Sequence, residues 1–405
     1  MAENQTIKAD HLPVLTWFKN NLNEAKIDIS GDTLEAIKGA LHPAGLIKPE
    51  YPEGIEVKEG VSFSYLEELF ENKGYRIDRE EYVAGKYPIY QEQIFPTGMG
   101  EGIDDLIKMS GVPVRVIEVK AGAKIDKPLY LHYIYPAGSE DIDVTFIHVN
   151  EGAELSVIQN LDSQGFNGKG FAGTQTRVIM EPYSKLHLSK VQCLADGFSY
   201  FNDMGCRIED NAEFNYTELA IGAAESYLGC HADQRGYQSK FRADIGFIGL
   251  QGSNTDINYT DVFRGKKSEG VMRFSGVLLE DAKKASRETL DFRKGCTGAD
   301  GDEEENILML GRNVVNKAIP LILGEEEKVN GRHAATSGKL SEEMLFYLET
   351  RGIDERVARE MMIRSNINRV SRLIPNKEIE GFVEARIDRI FSECDGNCRQ
   401  CPTAH

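Results

Sequence analysis

The chain has 405 residues, seven cysteines, 41% hydrophobic residues and a formal net charge of −18, a size that fits one large domain with appendages or two to three ordinary ones. Such acidity excludes a nucleic-acid-binding surface, which needs a basic stripe to displace counterions. No apolar run reaches the roughly 18 residues of a membrane span, and no signal-peptide pattern opens the chain. An odd cysteine count without an export signal implies reduced thiols in the cytoplasm, where some can serve as metal ligands.

Residues 1–108 read as a mainly helical region, with helical spacing over Leu12–Leu22, Thr33–Leu41 and Ser64–Asn72. The Pro- and Gly-rich segment 42–54 between them should be irregular. From Val112 the texture changes to short β-rich runs divided by Gly, Asn and Asp. A weak echo recurs: Ala121-Gly122-Ala123, Glu151-Gly152-Ala153, Pro182-Tyr183-Ser184, Asn211-Ala212 and Tyr237-Gln238-Ser239, each a turn followed by a charged and an apolar residue opening a strand. The spacing is roughly 26–31 residues, the size of one solenoid coil. Strands so spaced without helices between them are poor βαβ units. A parallel β-helix resolves this by stacking each coil on the last; an antiparallel sandwich is the alternative.

Strand-like runs at Ile307–Leu310 and Ala318–Leu323 are followed by a loop holding His333, one of only eight histidines. Ahead of them, GCTGADGDEEEN (295–306), with Cys296 and Glu303–Glu305, reads as an acidic loop. The pattern then turns helical. Ser341 is a candidate N-cap, Met344, Leu345 and Leu348 an apolar stripe, and Gly352 a C-cap. A second helix starts at Asp354, and a last one, Glu378–Glu393, puts Ile379, Phe382, Val383, Ile387 and Ile390 on one face. In the tail, Cys394, Cys398 and Cys401 are spaced to hold one zinc ion or three corners of an iron–sulfur cluster. The boundaries are thus 1–108, a core at 109–337, helices at 338–393 and a Cys-rich tail at 394–405. No GxxxxGK[ST], GxSxG or HExxH occurs, so any ATP hydrolysis belongs to a partner.

The run His333-Ala334-Ala335-Thr336, then Leu345-Phe346-Tyr347 and Arg351-Gly352-Ile353, resembles the SufB/SufD family of iron–sulfur cluster assembly proteins, over about Thr255 to Arg386. The resemblance implies a mainly β chain: a right-handed parallel β-helix flanked by N-terminal and C-terminal helical regions. It implies a non-enzymatic scaffold that builds a cluster, of unspecified type, and passes it to apo iron–sulfur proteins. A SufC-like ABC-type ATPase would dock on the C-terminal helices, and a homodimer would replace the usual heterodimer. His333 is the implied ligand. The SufB glutamate that follows that histidine is Ala334 here, and alignment puts Glu305 where SufB has its cysteine, with Cys296 nine residues earlier. Gln159-Asn160 resembles a SufB segment whose glutamine lines a route for sulfur through the β-helix, and Cys193, Cys206 and Cys230 could extend that route if they face inward. Two other readings are a SufD-like structural partner without its own cluster and a β-helical carbohydrate-active enzyme; the latter is usually exported.

Overall fold

In the computed structural model, the residues described are 5–7, 27–29, 46–47, 49–72, 96–163, 168–339 and 342–392. The expected helices Leu12–Leu22 and Thr33–Leu41, the candidate cap Ser341 and the three tail cysteines lie outside them. The strands are β1 (Gln5–Ile7), β2 (Ile27–Ile29), β3 (Ile55–Val61), β4 (Val114–Val119), β5 (Leu129–Tyr135), β6 (Glu140–Val149), β7 (Glu154–Ser163), β8 (Lys169–Met180), β9 (Lys185–Cys193) and β10 (Gly197–Ile208). They continue with β11 (Glu213–Ala220), β12 (Glu225–Gln234), β13 (Lys240–Gly249), β14 (Asn254–Phe263), β15 (Glu269–Leu278), β16 (Lys283–Phe292), β17 (Asp300–Met309), β18 (Val315–Gly324) and β19 (Asn330–Lys339). Helices are α1 (Phe63–Asn72), α2 (Glu101–Ser110), α3 (Glu342–Thr350), α4 (Glu355–Ser371) and α5 (Lys377–Ser392).

From β4 onward the chain is a parallel β-helix. Even-numbered strands stack as one sheet, β18-β16-β14-β12-β10-β8-β6-β4 with β3 antiparallel at its end, and odd-numbered strands β19 to β5 stack as the other. Each coil contributes one strand to each sheet. The sequence echo is one corner of these coils. Gly122, Gly152, Tyr183, Asn211, Gln238, Lys267 and Gly298 recur there with positive φ. Each donates its backbone N–H to the next coil, as in Gly152 to Pro182 O at 3.0 Å and Tyr183 to Asp210 O at 2.9 Å. Gly and Asn adopt that left-handed turn at low cost, so the corner is announced in the sequence at Gly122, Gly152, Asn211 and Gly298, while Tyr183, Gln238 and Lys267 hold the same conformation without such a signal.

Inward positions alternate along each strand and form one continuous apolar column, including Tyr133, Leu188, Phe214, Phe241, Phe274 and Phe292. Phe263 and Phe292 stack across coils at 4.5 Å between ring centroids. Outside, α1 and α2 cover the even sheet through Leu66, Phe70, Ile103 and Ile107 against Phe146, Phe171 and Phe201. The Arg177 guanidinium reaches up to Asp104 of α2 through two bonds of 2.9 and 2.8 Å. The odd sheet is covered by α4 and α5, whose Ile363, Ile367, Ile379, Val383 and Ile387 meet Val191, Leu219 and Ile248. Burying each such side chain stabilises the fold by roughly 1.5–3 kcal/mol. Asp354 caps α4 by accepting from Val357 N at 2.9 Å.

Among the described residues, nothing covers the last coil in this way. β18 and β19 end their sheets, and nearly every residue of β19 is exposed. Two expectations are corrected there. The stretch read as an acidic loop is in part the strand β17, and His333 lies within β19 rather than in a loop beyond a strand.

Candidate functional site

Strand alternation decides what the last coils turn inward. On β16 these are Lys284, Ser286 and Glu288, on the same face as core residues Leu290 and Phe292. On β17 they are Glu303 and Glu305, on the face of Ile307, and on β19 the register sets His333 opposite Glu303. His333 Nδ1 contacts Glu303 Oε2 directly. Burial pulls the imidazole below the usual histidine range, which keeps it neutral and able to bind a metal. Glu305 is buried in an ion pair with Lys284 and accepts from Ser286 Oγ at 3.4 Å. Burial pushes the Lys284 ammonium down to about 8, with Glu288 acting in the opposite sense. The Glu288 carboxyl is pushed up by burial and held back by Lys284.

Cys296 occupies the turn between β16 and β17, but its side chain is fully buried in the apolar column rather than carried on a flexible loop. Its N–H donates to Arg293 O at 3.2 Å, and its carbonyl accepts from Ala299 N at 2.9 Å. Burial pushes the thiol up to about 11, and Glu326 adds to the shift, so the thiolate that metals require is scarce at neutral pH. Ala334, at the position of the SufB glutamate, faces away from His333, beside Glu304 of the neighbouring strand. Glu304 is half-exposed and pairs with Arg273 at 3.5 Å. Among the described residues, no three histidine, cysteine or carboxylate side chains converge as a ready-made metal site.

Deeper in the lumen lies a second polar group. Gln159 points inward on β7, register-paired with Lys190, and both ends of its amide are buried without a hydrogen bond. Lys190 donates to Thr174 and Thr176 at 3.2 and 3.0 Å, and burial pushes its ammonium down to about 8. Asn202, Tyr216 and Tyr259 all donate to the Glu218 carboxylate, at 3.0, 2.8 and 2.7 Å. Cys206 and Cys230 face this lumen, while Cys193 faces outward under the C-terminal helices. On the odd sheet, Ile245 and Phe274 separate Glu218 from Glu305. On the even sheet, Cys230, Tyr259 and Glu288 are successive neighbours.

Sequence reasoning missed Lys284, Glu288 and the inward placement of Glu303. Their only signal was charge at alternate positions of strands whose outward residues are also polar.

The α5 stripe is taken up by packing: Ile379, Val383 and Ile387 are buried against the odd sheet, and Phe382 meets His132 with ring centroids 5.8 Å apart. Among the C-terminal helices the exposed apolar side chains are instead mainly on α3, where Phe346 is 68% and Tyr347 57% exposed.

Comparison with known proteins matches residues 134–366 to the family model described as "SUF system FeS cluster assembly, SufBD core domain". Among similar proteins, "Iron-sulfur cluster assembly protein SufD" of Plasmodium berghei is 24% identical over 259 residues, covering 60% of this chain and 18% of that protein. "Protein ABCI7, chloroplastic" of Arabidopsis thaliana is 22% identical over 296 residues, covering 67% and 59%. The SufD protein of Bacillus subtilis is 27% identical over 140 residues, covering 34% and 32%. The chain thus spans between 18% and 59% of the length of these relatives. Among the described residues, no helix is long and apolar enough to cross a membrane.

Proposed function

The chain belongs to the SufBD family of iron–sulfur cluster assembly proteins, and from that premise we propose that it is a non-enzymatic scaffold on which a nascent cluster, its cargo, is built at the open end of the β-helix. The observation that carries this reading is the inward Glu303–His333 pair on the terminal coil. A cluster that must leave should be held by few ligands at an accessible edge, and this pair meets both requirements. Glu303 supplies a carboxylate where Ala334 withholds one. Glu305 and Cys296 are further ligands; Glu305 must first part from Lys284, and Cys296 needs its turn to open. Gln159 and the polar lumen beyond it supply a hydrogen-bonding track for incoming sulfur.

Two ligands do not complete a site, so a second copy of the chain supplies the rest across the uncovered β18–β19 coil. A SufC-like ABC-type ATPase docks on the exposed face of α3, and apo iron–sulfur proteins of the cytoplasm receive the product. Cys394, Cys398 and Cys401 bind metal separately. Anaerobic reconstitution with iron and sulfide tests the reading: a scaffold turns brown, and loses that absorbance when His333 is replaced by Ala. A chain that takes up nothing would instead be the SufD-like structural partner, a reading favoured by the missing glutamate at Ala334 and the buried thiol of Cys296.

A further inference from the structure

The lumen just beneath His333 holds more negative charge than its surroundings offset. Glu288, Glu303 and Glu305 point into it, each only 2% exposed. Lys284 is the one cation that β16 and β17 turn inward; it contacts Glu305 and Ser286 and is shared electrostatically with Glu288, one positive charge against three carboxylates. Both oxygens of Glu288 and Oε1 of Glu303 are buried and make no hydrogen bond. A carboxylate removed from water without a donor is held at high cost, and it must either take a proton or take a cation. A proton on one Glu288 oxygen would still leave the other oxygen without a donor. A cation satisfies both at once.

We propose that Glu288, Glu303 and Glu305 form a holding site for one hard divalent cation inside the β16–β17 coil, with Glu288 as the member that the rim site does not use. Three carboxylates suit an ion that prefers oxygen ligands, such as ferrous or manganous ions, better than one that prefers thiolates. In the metal-free chain the Lys284 ammonium takes the cation's part against Glu305, which keeps the carboxylates from converging. The ion therefore enters by displacing that ammonium, and Lys284 acts as its competitor. That ferrous iron is the natural occupant rests on the assembly reading above; the holding site itself does not.

The test uses the full chain stripped of metal, with MnCl2 as the probe and the loss of the free Mn2+ electron paramagnetic resonance signal as the readout. Glu288→Gln keeps shape and removes charge, and it should weaken Mn2+ binding by about 10-fold or more. Lys284→Met should tighten it, an effect that a purely structural lysine would not produce. Because Glu288 is buried, nonspecific ions on the acidic exterior do not respond to its replacement. Equal affinity in wild type and Glu288→Gln, or binding weakened in Lys284→Met while its circular dichroism is unchanged, overturns the proposal. If Mn2+ binding follows these variants yet no cluster ever assembles, the holding site stands and the scaffold reading falls. If clusters assemble normally while Mn2+ binding ignores Glu288, the reverse holds.

Discussion

Glu303 and His333 are 30 residues apart in sequence, yet they are register neighbours on the last two strands of the odd sheet, with His333 Nδ1 against Glu303 Oε2. One coil of the β-helix produces this contact, since it returns the chain to the same position one strand further along. If the pair ligates iron, His333→Ala and Glu303→Gln should each reduce the cluster absorbance after anaerobic reconstitution by at least about 10-fold. The direction of the His333 shift adds a pH test. Burial lowers its pKa from the usual 6.5, so protons displace the metal only at a pH below that of an ordinary histidine. Full assembly in both variants would remove the pair from the site.

The coils were legible because each repeats a corner that needs a left-handed residue, and Gly122, Gly152 and Asn211 announce it. The site was not. In β17 the residues Asp302 to Asn306 alternate inward and outward, but both sets are polar, so no period-2 hydrophobic signal exists. β19 is exposed on both faces and has no apolar face to advertise. The α5 stripe was read correctly as apolar, but apolarity does not say which partner covers it. Here the odd sheet does.

That covering changes the test for the ATPase. Ile387 is fully buried, so Ile387→Asp would place a charge in the core and damage the fold. Phe346→Asp with Met344→Asp alters exposed positions on α3 instead. The double variant should lose co-purification with an ABC-type ATPase, weakening binding by about 100-fold or more, with the β-rich circular dichroism unchanged. Undiminished binding would move the docking surface elsewhere.

Truncation after Phe391 removes Cys394, Cys398 and Cys401. Closely spaced thiolates favour zinc or an iron–sulfur cluster, so the truncated chain should lose part of its bound metal and keep cluster assembly in the core. Elemental analysis before and after reconstitution checks this. Loss of all metal would make the tail the principal site.

Asp141 offers a stability test away from the site. Its Oδ1 accepts from Ile142 N at 2.9 Å, its Oδ2 is buried without a hydrogen bond, and burial together with Asp143 pushes the carboxyl from 3.8 up to about 8. Between those values the folded chain holds a proton that the unfolded chain releases, so stability falls as pH rises through that window. Asp141→Asn is neutral throughout and keeps the bond to Ile142. Its melting temperature should exceed that of the wild type by about 2 °C or more at pH 8. The gain should vanish near pH 4. A gain independent of pH would mean that Asp141 stays ionised in the fold.

The open end of the β-helix makes the last prediction. Ile322 faces inward on β18, where every earlier coil has a neighbour above it, yet it is 49% exposed because, among the described residues, no further coil follows. Two adjacent edge strands with an apolar mouth are a surface that soluble proteins ordinarily cover or pair. A second copy can cover it by two-fold symmetry, since a symmetric interface presents the same patch from both sides. That arrangement also sets two Glu303–His333 pairs face to face and so doubles the ligands. Light scattering should find twice the mass of one chain, since a stable pairing needs an interface of about 1,200 Å² or more. Ile322→Asp should shift it to monomer with the β-rich circular dichroism unchanged, because the residue contributes little to the single chain's core, and the melting temperature should fall only by what dimerisation had added. The same variant should fail to assemble a cluster even though every ligand is intact. A monomeric wild type, or a monomeric variant that still assembles a full cluster, would show that one chain completes the site by itself.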